Sequence, residues 1–141
     1  MHGTGDAQAA LTAFFGAYAA AFDDADADAI ADFYVLPAVI WQFGTGHLFD
    51  DRDELAENAE KLIDAFDEAG IVTTETTVRT ANVSGDTAFA TVDWSQSDDA
   101  GEELHAFTCH YMLIRDAPGW RIVTVVNAPP VDGTSDEDDA T

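Results

Sequence analysis

Leu11, Phe14, Phe15, Tyr18 and Phe22 recur at i, i+3, i+4, i+7 and i+11, the spacing of one helix face. The first helix is therefore expected over Ala7–Phe22, with Asp6 as its N-cap. A shorter helix is expected over Ala27–Tyr34, capped by Asp26, with Ile30, Phe33 and Tyr34 turned inward and Pro37 ending helical structure. Strands over Ala38–Phe43 and His47–Phe49 flank a Gly-Thr-Gly turn. The third helix begins near Asp51–Asp53, where Glu54 follows Asp51 by three residues as in a capping box. Leu55, Ala59, Leu62, Ile63 and Phe66 form its buried stripe, Glu57 and Lys61 make an exposed i,i+4 pair, and Gly70 stops it.

Beyond Gly70 the period changes to two. Ile71–Val83, Thr87–Ser97, Glu103–Arg115 and Gly119–Asn127 read as four long strands joined by short turns, which makes an antiparallel meander. The last two strands are apolar on both faces. Phe107, Cys109, Tyr111 and Leu113 share one parity, and Ala106, Met112 and Ile114 the other; Ile122, Thr124 and Val126 oppose Val123 and Val125. Helices cover only one face of such a sheet, so the other is expected to meet a second copy of the chain, with Val125 as the position to test if it lies outside. The fold class is α+β, with a six-stranded mixed or mostly antiparallel sheet.

The 141 residues suit one domain, expected over 1–131, and the polar stretch 132–141 is expected to be a solvated acidic tail. Apolar residues make up 47% of the chain, enough for a sizeable core. The charge changes the picture more. Against 28 acidic residues stand five basic ones, giving −23. This excludes nucleic acid and anionic membranes as partners. Asp-rich, Lys-poor composition spread over the whole chain points to a halophilic protein, because molar salt shortens the screening length to about 3 Å. No secretory signal leads the chain, Ala9–Phe22 is too short to span a bilayer, and the lone Cys109 forms no internal disulfide. A cytoplasmic location is expected.

The segment Gly16–Phe43, GAYAAAFDDADADAIADFYVLPAVIWQF, together with the element order through Asn127, resembles the nuclear-transport-factor-2-like superfamily, which includes ketosteroid isomerases and SnoaL-like polyketide cyclases. The resemblance implies a cone: a curved sheet wrapped around three helices, enclosing a pocket and dimerising through the outer face of the sheet. In such isomerases a carboxylate base moves a proton while a Tyr and a protonated Asp stabilise the oxyanion.

Tyr18 stands at the position resembling the oxyanion tyrosine, and reads either as a donor to a ligand oxygen or as a core aromatic. Gln42 stands where the isomerase has its base, and a Gln accepts no proton, so steroid isomerisation of the usual type is not expected. His110 stands near the second acid, as a replacement acid or base or as a satisfied core residue. Asp93 and Trp94 alternate on one strand: an inward Asp93 is a displaced base, an inward Trp94 is pocket lining, and the acidic surface favours an exposed Asp93. Phe15, Phe33, Ile40 and Trp120 are expected to hold the apolar body of a ligand.

Other motifs fail. Asp24, Asp26 and Asp28 open like a calcium loop, but Ala29 and Val35 occupy its glycine and glutamate positions. No three ligands converge for a metal, no phosphate loop or nucleophile elbow occurs, and no cofactor is expected. Three functions remain: a module binding a small, neutral, largely apolar molecule; a cofactor-independent isomerase, dehydratase or cyclase; and a dimeric interaction module whose cone is filled by side chains.

Overall fold

The computed structural model describes residues 3–42, 44–116 and 119–128. Its elements are α1 (Gly3–Asp23), α2 (Ala27–Asp32), β1 (Tyr34–Gln42), β2 (Thr45–Phe49), α3 (Arg52–Ala69), β3 (Thr73–Ser84), β4 (Thr87–Ser97), β5 (Glu103–Asp116) and β6 (Gly119–Ala128). The sheet order is β2-β1-β6-β5-β4-β3. Every neighbouring pair is antiparallel except β1 and β6, which run parallel. The sheet is mixed and open, with the three helices on its inner face. The expected tail over 132–141, the strand end at Phe43 and the middle of the Asp116–Gly119 turn lie outside the described residues.

The apolar stripe of α1 is buried as its spacing requires. Leu11 and Phe15 are wholly inaccessible, and Tyr18 nearly so. The helix begins at Gly3, so Asp6 lies within its first turns and is not its cap. Asp26 does cap α2, accepting the Ala29 N–H at 3.0 Å. That helix ends at Asp32, two residues before Tyr34. Ile30, Phe33 and Tyr34 fit a helical stripe, but Tyr34 pairs with Ile122 and begins β1. Pairing with a distant strand outweighs the propensity of so short a helix. Pro37 falls where the β1–β6 register shifts, between Tyr34 and Val39, a place that tolerates its missing N–H. Asp51 caps α3 by accepting from Asp53 N at 2.8 Å, and Gly70 closes it in the left-handed region, φ 86°.

Alternation sorts the sheet into two surfaces. Ala88, Ala90, Val92, Trp94 and Gln96 of β4 face the helices, as do Cys109, Tyr111 and Leu113 of β5. In β6 the register slips where Met112 pairs with Thr124 but Leu113 pairs with Ile122, so Val123 is a bulge. The bulge resets the parity: Ile122 and Val125 both point inward and Val126 outward. Val125 is therefore not the outer-face residue; Val126 is. Two rows of the outer face carry exposed apolar groups. One joins His110, Val126 and Trp41, and the next joins Phe89, Met112, Thr124, Val39 and Leu48. Trp41 lies over Gly46, where a Cβ would come within 2.6 Å of its ring.

Candidate functional site

The interior of the cone holds a cavity of about 70 Å³, roughly half the ~150 Å³ that accommodates a benzene ring. Each layer contributes to its wall. Helix α1 sends Tyr18 and Phe22, α3 sends Leu55, Asn58 and Ala59, and β1 sends Tyr34, Ile40 and Gln42. From the inner face of β4, β5 and β6 come Trp94, Cys109, Tyr111, Val125 and Asn127. Trp94 stacks on Phe107, with 8° between the rings and 5.8 Å between centroids. Tyr18 makes edge contacts with Phe22, Phe33, Tyr34 and Trp94. These rings make the chamber narrow.

The deep end is built of hydroxyls. Tyr18 and Tyr34 share a buried hydrogen bond of 2.5 Å between their phenolic oxygens. One hydroxyl donates and the other accepts, so the acceptor keeps its own O–H free to donate. Trp94 Nε1 donates to the Tyr111 hydroxyl at 3.1 Å. Burial raises the pKa of Tyr18 well above the ordinary phenol, reinforced by Tyr34 and Tyr111. Burial likewise raises Tyr34, against the opposing hydrogen bond from Tyr18, and it raises Tyr111. The Cys109 thiol is pushed up to about 12 by burial, with Tyr111 pulling the other way. All four groups are protonated at neutral pH, so the phenols and the thiol present donors. Among the described residues, no carboxylate, imidazole, Lys or Arg lines it. Such a set stabilises negative charge on a ligand oxygen but removes no proton from carbon.

The residues singled out in the sequence separate into three groups. Tyr18, Ile40, Gln42 and Trp94 meet at the cavity. Phe15 is fully buried core behind it, in contact with Tyr111 at 4.6 Å between rings, while Phe33 and Trp120 pack elsewhere. Trp120 lies under the Arg115 guanidinium at 4.7 Å. His110 and Asp93 are on the opposite face. His110 is exposed, with Nδ1 3.1 Å from Thr91 Oγ1. It is thus neither a core residue nor an acid facing the chamber, because its neighbours Cys109 and Tyr111 take the inward positions. Asp93 is held by Arg79 at 2.7 Å and by the Thr108 hydroxyl at 2.9 Å. Partial burial pushes its carboxyl up, but the hydrogen bonds from Thr108 and Arg79 and the Arg79 charge outweigh it and hold it low. An ion-paired, outward Asp93 is no displaced base.

Five polar wall residues were not among the site candidates of the sequence: Tyr34, Asn58, Cys109, Tyr111 and Asn127. Two had a signal. Asn58 interrupts an apolar stripe between Leu55 and Leu62, and Tyr111 shares the parity of Phe107 and Cys109. A polar group on a buried face is the informative exception.

Residues 5–130 match the family described as NTF2-like protein (DUF6841). No curated protein sequence matches the chain. Among solved structures, an NTF2-like protein with a cystatin-like fold from Novosphingobium aromaticivorans superposes with a TM-score of 0.74 at 18% identity, covering 96% of this chain and 90% of that one. A domain of unknown function with a cystatin-like fold from Nostoc punctiforme gives 0.74 at 19% identity, with 94% and 83% covered. A ketosteroid isomerase-like protein from Erwinia carotovora atroseptica gives 0.65 at 21% identity, with 89% and 97% covered. At these identities the likeness is one of fold.

Proposed function

The chain belongs to the NTF2-like family DUF6841, and from that footing we propose that its cone binds a small, neutral, largely apolar molecule bearing a carbonyl or hydroxyl oxygen. The observation that carries this reading is the buried Tyr18–Tyr34 hydroxyl pair at the deep end of an aromatic chamber. A free phenolic O–H in a dry site is a strong donor to a ligand oxygen. Neutrality follows from the walls, since a charged ligand would lose its hydration with no counter-charge to replace it.

The test is direct binding of small ketones such as acetone, followed by ligand-observed NMR and by Trp fluorescence. Binding should weaken about tenfold in Tyr34→Phe, the scale of one lost buried hydrogen bond. A protein that binds no neutral ketone or alcohol would instead support the reading of a filled cone. The isomerase alternative is disfavoured because, among the described residues, no carboxylate or imidazole lines the wall. A 3-oxo-Δ5-steroid should not be isomerised, and turnover of that substrate would restore the alternative.

We also propose a homodimer through the outer face, supported by exposed Trp41, Leu48, Phe89 and Val126 on adjacent rows. Val126→Asp should yield monomers in sedimentation at high salt; a wild-type monomer would contradict the dimer. Among the described residues no helix is long and apolar enough to cross a membrane. The free, buried thiol of Cys109 supports a reducing, cytoplasmic compartment.

A further inference from the structure

The hydroxyl pair accounts for the deep end of the chamber and leaves the other end unexplained. Three carboxamides line it there: Gln42, Asn58 and Asn127. Trp41 pairs with Val126 across the parallel ladder. The next residues on the two strands, Gln42 and Asn127, are therefore neighbours on the inner face, with about 4.8 Å between the strands. Asn127 is in register with Cys109 on its other side. Asn58 arrives from α3, from within the stripe of Leu55, Ala59 and Leu62. Gln42 and Asn127 thus stand side by side, and Asn58 lines the same cavity from a third element. All three residues are half-buried, whereas Tyr18 and Tyr34 are buried, so the amides stand at the mouth. Among the described residues, none of the three side chains makes a hydrogen bond.

Each carboxamide offers two N–H donors and a carbonyl acceptor. A ligand that covers such groups without bonding them leaves them desolvated at a cost. Its outer end must therefore carry donors and acceptors together. A cationic head would find no carboxylate on the wall, and an anionic head would approach a chain of charge −23. A neutral group with N–H and C=O in one plane pairs with a carboxamide bidentately, as Asn and Gln pair with the donor–acceptor edge of adenine. We propose that the Gln42–Asn58–Asn127 cluster recognises an amide head on the ligand whose carbonyl or hydroxyl oxygen meets Tyr18 and Tyr34. The ligand class is then a short, neutral molecule whose oxo or hydroxy end fills the small cavity and whose carboxamide end lies at its open mouth. This rests on the reading of the chamber as a binding site.

The two claims separate with an isosteric pair. 4-Oxopentanamide and 5-methylhexan-2-one share a ketone and differ in a terminal carboxamide against an isopropyl group. Affinities are measured by ligand-observed NMR on the wild type and on Gln42→Met and Asn127→Leu, with melting curves to confirm folding. The amide should bind the wild type at least about tenfold more tightly. In both variants the preference should shrink to about twofold or less. Equal or tighter binding of 5-methylhexan-2-one by the wild type would overturn the amide head and leave the ketone-binding chamber standing. Binding of neither compound would overturn both.

Discussion

The two faces of strands β4 and β5 are built from alternate residues of the same segments, and they do opposite chemistry. Inward stand Trp94, Cys109 and Tyr111, dry, protonated and packed ring against ring. Outward stand Asp93, Thr108 and His110, solvated and tied to Arg79 and Thr91. The groups suited to acid–base catalysis are one residue away from the chamber and cannot enter it, because a shift of one residue carries a strand side chain to the other face. Parity thus decides which groups reach the cone, and among the described residues it places no carboxylate or imidazole on the chamber wall.

Truncation should expose the contrast most strongly. Phe15→Ala, at a wholly buried inner position, should cost about 3–5 kcal/mol in urea unfolding. His110→Ala should stay within about 0.5 kcal/mol. Comparable losses at both sites would erase the distinction between the faces.

Alkaline pH attacks only the inner face. The folded pKa values of Tyr18, Tyr34, Tyr111 and Cys109 lie above their unfolded values, all because of burial. Above about pH 9 the unfolded chain sheds protons that the folded chain keeps, so stability is intact below that range and falls as pH rises. Denaturant midpoints should decline steeply from about pH 9 to pH 11. A flat profile would mean that water reaches these hydroxyls.

Gln96 sharpens the comparison from the other side. It is fully buried, and neither side-chain polar atom has a partner among the described residues. Gln96→Met should raise stability by about 1 kcal/mol, because an apolar side chain of similar shape removes an unsatisfied amide. A loss of stability would show that the amide is satisfied within the fold.

The smallest effect belongs to the outer face. A double-mutant cycle on Arg79 and Asp93, a half-exposed pair, should give about 0.2–1 kcal/mol, shrinking in salt. The chain as a whole should respond oppositely. At −23 charge, its melting temperature should rise from about 0.1 M to about 3 M KCl as self-repulsion is screened. A falling melting temperature would refute adaptation to salt.

Much of this organisation was legible in the sequence. The stripe of α1, the change of period after Gly70, the Asp26 cap and the Gly70 stop are local signals written by neighbouring residues. Tyr18, Ile40 and Gln42 lie within the segment Gly16–Phe43 that carries the resemblance, and Trp94 follows from strand alternation with an exposed Asp93; all four line the cavity. The failures share a cause. His110 sits between Cys109 and Tyr111, and the turn that follows its strand leaves the register free by one, which exchanges one face for the other. The bulge at Val123 is set by pairing with β5, which no local pattern reports, so Val125 and Val126 traded faces. Tyr34 satisfies helical spacing and strand alternation alike, and only its partner Ile122, far along the chain, decides between them.

The parallel pairing of β1 with β6 carries a kinetic consequence. Ile40 and Val125 meet although they lie about 85 positions apart in the chain, and loops of that length close slowly. During synthesis β1 and β2 can pair with each other, but the inner edge of β1 has no neighbour until the last strand leaves the ribosome. For that interval the chamber lacks the side that Val125 and Asn127 supply, and an apolar strand edge lies open to other nascent chains. Premature termination before β6 would therefore yield an aggregating fragment rather than a smaller working domain.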